Sequence, residues 1–374
     1  MDEFHYNLYA QEVLFGAGTL SRMSQAADQL GCQRFMLCIS QSMRATGHVS
    51  SLEEVLGERL VAVFDRVQPH VHDVQVNEVF SFAIEKKVDA IIGMGGGSPI
   101  GMAKAVSAAI TKNTNMVVPI IAIPTTYAGS EMTPVYGVTH TDENPPRKVT
   151  AHDPNSIPKL VIYDPTLTLD LPPKLTASTG INALAHCIEA LYSIKRNPLS
   201  TAAATAGVHH IFNALLRCYT HPDDLTARTE MLLGSHLAGL SLASATMGLH
   251  HGLCHVLGGT ANIPHGIANS IILPHAIRFN ADATATQLLT VAAEMEIPTR
   301  GISPIIAIEA MVQKLFHLIS LMHLPQHLRD SGVGLQRSDL PYLAEIAFQN
   351  QTVQNNPKRI TNQLQIAQLL HDAW

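Results

Sequence analysis

From Arg34 to Thr139 the chain repeats one pattern: a short uninterrupted apolar run, a bend, then residues with helical period. The apolar runs are RFMLCIS (Arg34 to Ser40), LVAVFDRV (Leu60 to Val67), the start of VDAIIGMGGGSPIGMAKAVSAAI (Val88 to Ile110) and the start of MVVPIIAIPTTYAGSEMTPVYGVT (Met116 to Thr139). Runs of this length without polar alternation belong to strands buried on both faces. Strands that alternate with helices can meet that demand in a parallel sheet with right-handed crossovers and helices on both sides. Before them, VLFGAGTL (Val13 to Leu20) reads as a strand, with Gly16 and Gly18 forming a turn ahead of the helix SRMSQAADQL. NEVFSFAIEKK (Asn77 to Lys87) reads as a helix capped by its asparagine.

The pattern stops near Asp164-Pro165. LVIYDPTLTLDLPP (Leu160 to Pro173) reads as a last strand and a proline-bounded linker, and almost everything beyond it has helical period. The expected helices are Ala177 to Ile194, Pro198 to Tyr219, Leu225 to Ala243, Thr246 to Leu257, His265 to Ala281, Ala285 to Glu294, Ser303 to Leu321, Asp339 to Gln349 and Thr361 to Ala373. The expected fold class is therefore α/β: a Rossmann-like parallel-sheet domain over residues 1–160 and an all-helical domain over residues 161–374.

The net charge of −6 and the lack of a basic run exclude the clustered Lys/Arg that nucleic acid requires. With 46% hydrophobic and 14% charged residues over 374 positions, the chain has ample material for two cores. No uninterrupted apolar run reaches the ~18–20 residues that span a bilayer, and MDEFHYNLYA has no secretory apolar region. Five cysteines without a CxxC fit reduced thiols, so a cytoplasmic protein without membrane or nucleic-acid partners is expected.

Two kinds of motif carry chemistry. GMGGGSP (Gly93 to Pro99) leaves an apolar strand and opens a helix. Its glycines let the backbone approach a phosphate, the helix N-terminus adds positive potential, and Ser98 is placed to cap. PTTYAGSEMTP (Pro124 to Pro134) leaves the next strand and offers the hydroxyls of Thr125, Thr126, Ser130 and Thr133. Two polar loops after adjacent strands suit a dinucleotide, because open α/β sheets bind ligands outside the carboxyl ends of their strands. The second kind is a histidine cluster. GLHHGLCHVLGGTANIPHGIANSIILP (Gly248 to Pro274) holds His250, His251, His255 and His265. His251 and His255 lie one turn apart on one helix face, and upstream GINALAHCIEALYS sets Asn182 and His186 at the same spacing. Gly258-Gly259 is expected to stop the first helix, and Pro264-His265-Gly266 to turn His265 back toward it.

In this order and spacing, GGGSP, PTTYAGSEMTP, GINALAHCIEALYS and HHGLCHVLGG…PHG resemble the iron-containing (group III) alcohol dehydrogenase family. PTTYAGSEMTPVYGVT, Gly101, the asparagine of GINALAH and LHHGLCHVLGG resemble its maleylacetate reductase-like branch. The resemblance implies a dehydroquinate synthase-like architecture and a homodimer, with the active site in the cleft between the domains. It also implies NADH- or NADPH-dependent reduction of a small oxo acid, maleylacetate to 3-oxoadipate. Gly95, Gly96, Gly97 and Ser98 would hold the pyrophosphate, and Thr125, Thr126 and Ser130 would line the adenine and nicotinamide. His255 would be the acid/base group beside the nicotinamide. Asn182, His186, His251 and His265 match the positions that bind iron or zinc in metal-dependent members.

Asn182 replaces a carboxylate with a neutral amide, which weakens a divalent site, so the imidazoles are expected to act on the substrate directly. Ser40, followed by Gln41 and Ser42, stands where a ribose-reading acid is expected, so NADPH should be tolerated and Arg44 is placed to attract its 2′-phosphate. Gly252 and Asn269 replace the lysine and histidine typical of the branch, which leaves Arg147 and Lys148 as candidate contacts for a carboxylic acid substrate. Two alternatives stay open: an alcohol, aldehyde or ketone oxidoreductase, and a lyase or cyclase on the same scaffold.

Overall fold

The computed structural model describes residues 4, 6, 9–140 and 147–374, without the side chains of Arg147 and Lys148. It divides into two compact units, Leu8–Leu171 and Pro172–Trp374.

The first unit holds eight strands: β1 (Glu12–Phe15), β2 (Phe35–Cys38), β3 (Leu60–Phe64), β4 (Ala90–Gly95), β5 (Ile120–Pro124), β6 (Val135–His140), β7 (Arg147–His152) and β8 (Leu160–Tyr163). Six of them form one sheet in the order β1-β8-β5-β4-β2-β3, every pair parallel. The helices are α1 (Met23–Leu30), α2 (Gln41–Arg44), α3 (His48–Leu56), α4 (Asp73–Glu85) and α5 (Gly97–Thr114). Alternate residues of the buried strands feed two cores. Phe35, Leu37 and Ile39 pack with α1 and α3, whereas Met36 and Cys38 pack with α4 and α5. That two-sided burial is why the strands read as unbroken apolar runs. From β2 the chain moves outward to β3, and from β4 it moves the other way to β5. Neighbours β2 and β4 therefore flank a switch point, where open α/β sheets leave a crevice for ligand.

Several local expectations are corrected. The strand after the Thr/Gly/Ser loop leaves the parallel sheet: β6 pairs antiparallel with β7 as a separate two-stranded ribbon. Asn77 lies inside α4, whose N-cap is His72. Leu160–Tyr163 is the last strand of the sheet, as expected, and the compact unit that holds it ends at Leu171.

The second unit is helical: α6 (Pro173–Tyr192), α7 (Pro198–Thr220), α8 (Leu225–Ser244), α9 (Leu249–Ala261), α10 (His265–Asn280), α11 (Ala285–Glu294), α12 (Pro304–Leu321), α13 (Leu340–Gln349), α14 (Gln351–Gln354) and α15 (Gln363–Asp372). Nearly the whole length of α6 is buried, so it forms the spine of this unit. Gly180 and Gly207 permit that close packing, since added Cβ atoms would fall 2.2 Å from Leu215 Cδ1 and 2.6 Å from Cys187 Sγ. Gly258 and Gly259 do not stop α9. It continues to Ala261, and Asn262 terminates it in the left-handed conformation at φ 56°. Pro264 is the N-cap of α10 and His265 its first residue, so Pro-His-Gly starts a helix where a simple turn was expected. Among the described residues α12 alone meets the length and hydropathy of a single spanning helix. Ala307, Ile308, Met311, Val312, Leu315 and Ile319 form a buried face on it, and Glu309, Gln313 and Lys314 interrupt its apolar run, as in a core helix.

Candidate active site

The first unit presents a cradle at the carboxyl ends of three neighbouring strands. β2 leads into Ser40, β4 into Gly95-Gly96-Gly97, and β5 into Thr125-Thr126. Gly95 has φ +136°, a conformation L side chains rarely adopt, and this lets the chain turn off β4 into α5. Gly96 is the N-cap of α5, and no side chain caps that end; Ser98 lies within the helix rather than capping it. The N-terminal N–H groups of an eighteen-residue helix are thus left for a ligand. A Cβ on Gly96 would lie 3.2 Å from Thr126 Oγ1, itself a buried hydroxyl with no partner among the described residues. A bare helix N-terminus beside an orphaned hydroxyl fits a phosphate group.

A buried lysine shapes the loop that supplies this hydroxyl. Lys104 on α5 is fully buried, and its Nζ donates to the carbonyls of Ser130 (2.6 Å), Thr133 (2.6 Å) and Val135 (3.1 Å). Burial lowers its pKa to about 7, with Glu131 opposing. Glu131, also fully buried, accepts from Tyr163 Oη at 2.7 Å, which ties the same loop to β8. The Ser130 carbonyl is thus engaged from beneath by Lys104. At the ribose end, Ser40 Oγ lies 3.0 Å from Ser42 Oγ. Arg44 is already paired with Glu53 at 2.8 Å and lies 3.9 Å from Asp65, so its charge is neutralised by carboxylates rather than held for a 2′-phosphate.

The histidine cluster belongs to the second unit. His186 on α6 stacks on His251 of α9, with centroids 4.4 Å apart and planes within 7°. His265, at the start of α10, lies 6.1 Å from His251 and 5.7 Å from His255, the latter ring nearly parallel to it. Four of the expected site residues are thus brought together, and Asn182 sits buried one turn before His186 on the same helix. His186 and His251 are buried, whereas His255 is exposed. Burial holds His186 well below the usual imidazole range and lowers His251 to about 3, so both rings are neutral at physiological pH.

Glu189, fully buried on α6, organises this end of the cluster. Its carboxylate accepts the backbone N–H groups of Gly248, His250 and His251, each at 3.1 Å, and the Nδ1–H of His251 at 2.5 Å. Asn356 Oδ1 takes the N–H of Leu249 at 3.3 Å. Burial alone would raise the Glu189 pKa, but the hydrogen bonds and charges of His250 and His251 hold it below the carboxylate range. His250 donates Nε2–H to the Asn269 carbonyl at 3.3 Å and turns Nδ1 toward the same carboxylate at 3.8 Å. Burial opposes a charge on His250, yet Cys254 and Glu189 outweigh it and raise its pKa to about 10. The buried charges of Glu189 and His250 so compensate one another.

The ligand atoms of Glu189, His250 and His251 lie within 4.8 Å of one another, so a metal ion is possible there, although the carboxylate already accepts four hydrogen bonds. In the second set, Asn182, His186, His251 and His265, no donor is anionic, and such a set holds a divalent ion less firmly than one with a carboxylate.

Sequence reasoning missed Glu189, Asn356 and Lys104, and gave His250 no role beyond membership of the cluster. Glu189 carried a signal, since it is an acid in an otherwise apolar helix, three residues after His186. Gly252 is explained by packing: a Cβ there would lie 2.8 Å from the backbone nitrogen of Val353, so this chain has no room for the branch's lysine. Asn269 is fully buried, and its Nδ2 donates to the His265 carbonyl at 2.7 Å. The side chains of Arg147 and Lys148 lie outside the described residues.

Comparison with known proteins agrees with this architecture. The description "Iron-containing alcohol dehydrogenase" matches residues 10–165, and "Fe-containing alcohol dehydrogenase family, C-terminal" matches residues 176–374. The chain belongs to the iron-containing alcohol dehydrogenase family. Members of this oxidoreductase family similar to it include maleylacetate reductase from Burkholderia cepacia, 36% identical over 94% of this chain and 92% of that protein. The crystal structure of maleylacetate reductase from Agrobacterium tumefaciens matches with a TM-score of 0.86 at 31% identity, covering 100% of this chain and 99% of the other. A 1,3-propanediol oxidoreductase structure matches with a TM-score of 0.93 at 31% identity over 100% of both chains.

Two outcomes are expected. Lys104→Met leaves three carbonyls without their donor and should cost about 2–4 kcal/mol, since an unmet buried polar group costs ~1–3 kcal/mol. Denaturant unfolding checks this; an unchanged midpoint would show that Lys104 does not hold the loop. The second concerns acid. His186, His236, His251 and His275 all have pKa values lowered chiefly by burial, the last three to about 4, 3 and 4. The unfolded chain binds protons at these sites near pH 6.5 that the folded chain refuses. Their contribution is complete above pH ~6.5 and declines as pH falls toward ~4, so the urea midpoint should drop between pH 7 and pH 5. His250, with its raised pKa, is protonated in the folded chain throughout this window; its opposing gain is complete once the unfolded imidazole protonates near pH ~6.5, so below that it does not offset the loss. A flat profile would contradict the assignment of neutral buried rings.

Proposed function

We propose that this chain is an NAD(P)H-dependent reductase of a small oxo acid, converting maleylacetate to 3-oxoadipate in the cytoplasm as a homodimer. The observation that carries this reading is the imidazole cluster. Four rings lie within 4.4–6.5 Å of a neighbour, two of them neutral and one of these backed by a buried carboxylate, in a set with no anionic metal donor. The likeness to maleylacetate reductases supports the substrate, and the phosphate cradle on the sheet unit supports the dinucleotide.

The dinucleotide, when bound, supplies a hydride. Gly95, Gly96, Gly97 and the bare α5 N-terminus hold its pyrophosphate, and Thr126 Oγ1 donates to a phosphate oxygen. Thr125, Ser130 and Ser40 border the rest of the molecule. Hydride addition to the carbon of the enone far from the ketone leaves negative charge on the ketone oxygen. Proton delivery to the carbon beside the ketone completes the reduction. His255 is the proton donor in this scheme, because it is the exposed ring that solvent can reprotonate. His265, stacked on it, donates to the charged oxygen. His186 and His251 wall the pocket as neutral rings. Since Arg44 is already paired with carboxylates, NADH is the better partner of the two reduced cofactors.

A second reading has a specific observation behind it. Gly252 and Asn269 depart from the maleylacetate reductase pattern, and the 1,3-propanediol oxidoreductase likeness is as extensive, which favours an aldehyde or alcohol substrate. Absorbance of the reduced nicotinamide separates the readings. Oxidation should be faster with maleylacetate than with uncharged aldehydes or ketones. The reverse order would establish the second reading, and product without net cofactor oxidation would point to a lyase or cyclase.

Further outcomes follow from the roles assigned. His255→Ala should lower turnover ~10²–10⁴-fold with little change in cofactor KM. Unchanged turnover removes His255 from the mechanism. Dialysis against a strong chelator should leave activity intact; loss restored by iron or zinc would overturn the metal-free scheme.

A further inference from the structure

We propose that Glu189 is a positioning residue that fixes the tautomer of His251, so that His251 enters the reaction only as a hydrogen-bond acceptor. The inference rests on the reductase reading for its catalytic consequence, but the tautomer itself follows from geometry. An ionised carboxylate only accepts hydrogen bonds. Glu189 Oε2 lies 2.5 Å from His251 Nδ1, so Nδ1 carries the hydrogen. A neutral imidazole has one N–H, so Nε2 presents its lone pair. That Nε2 is buried with no partner among the described residues, on the ring that lies within 4.4–6.5 Å of His186, His255 and His265.

The rival orientation is blocked. His250 Nδ1 lies 3.2 Å from His251 Nδ1, and a lone pair on His250 would compete for the hydrogen. The nearer, charged carboxylate at 2.5 Å is the stronger acceptor. His250 instead keeps Nε2–H on the Asn269 carbonyl, and its Nδ1 points to the same carboxylate at 3.8 Å. The 3.2 Å contact is then two donors converging on one anion.

The consequence is a division of roles. His251 offers a fixed lone pair to a hydrogen on a bound water. Proton donation falls to the exposed His255. Nothing in this arrangement requires the bonds of His251 to break during turnover.

Glu189→Gln tests this. With its oxygen kept on the N–H groups of Gly248 and His250, the glutamine turns its NH₂ toward both the His251 backbone N–H and Nδ1. The His251 backbone N–H loses its acceptor, as the Leu249 N–H does in the control below, and Nδ1 is favoured as acceptor with the hydrogen on Nε2. Turnover should fall ~10²–10³-fold while cofactor KM stays within about threefold. Asn356→Ala serves as the structural control. It removes the cap on Leu249 N–H from the same helix end without touching His251, and should lower Tm yet keep turnover within about threefold. The ¹⁵N ring shifts of His251, assigned by difference against a His251→Gln protein, read the tautomer without any assay. Nδ1–H is expected in the wild type and in Asn356→Ala, and Nε2–H in Glu189→Gln.

An Nε2–H in the wild type overturns the proposal, even if Glu189→Gln does not fold. So does a folded Glu189→Gln with wild-type turnover, or an Asn356→Ala protein that loses as much turnover as Glu189→Gln. If the wild type reduces no oxo acid, the reductase reading fails while the ring shifts still decide the tautomer.

Discussion

A helix that begins inside a protein brings four backbone N–H groups that water cannot reach. Helix α9 begins this way, and its first four donors, from Gly248 to His251, are all met by two side chains: Glu189 from 59–62 residues upstream and Asn356 from 107 residues downstream. The rest of the cluster depends on that capture. The carboxylate that ends the donor chain also grips the His251 ring, and the helix it anchors carries His255 one turn further on. The field of the helix N-terminus favours the anion, and the raised affinity of His250 for a proton balances its charge. Gly248 is needed there because a Cβ would crowd both Asn356 and Glu189 at 3.1–3.3 Å.

The sheet unit solves the opposite problem. It leaves the α5 N-terminus uncapped, and the cost of exposed donors there becomes the means of holding a phosphate. Lys104 gathers three carbonyls of the loop after β5 from beneath, and Glu131 anchors that loop to β8 through Tyr163. Both charged groups are buried to serve the backbone. One unit is thus built around an unsatisfied helix end and the other around a fully satisfied one.

The architecture was legible because buried parallel strands and amphipathic helices leave different periods in a sequence. The parallel strands, the helical second half and the four clustered imidazoles all follow from such periods. The misreadings have a common cause in tertiary context. Gly258 and Gly259 look like a stop, yet α9 runs through them because packing outweighs the local preference for a break. Val135–His140 has strand character, but nothing in it tells whether it joins the sheet or pairs with the segment after it. Glu189 showed only as an acid in an apolar helix, and Asn356 was hidden, because a cap supplied from a distant segment leaves no spacing to detect. The partners of Arg44, Glu53 and Asp65, lie on a neighbouring helix and strand end, so no local spacing announces them.

Direct transfer of hydrogen from a reduced nicotinamide to the carbon skeleton of the oxo acid is the claim on which the functional account stands. Cofactor carrying deuterium at the transferable C4 position, incubated with the purified protein and maleylacetate, gives a product whose isotope content mass spectrometry reads. One deuterium, retained in water on the 3-oxoadipate carbon next to the distal carboxylate, is the predicted result. A product of unlabelled mass, or no product from a folded protein with cofactor bound, would contradict it.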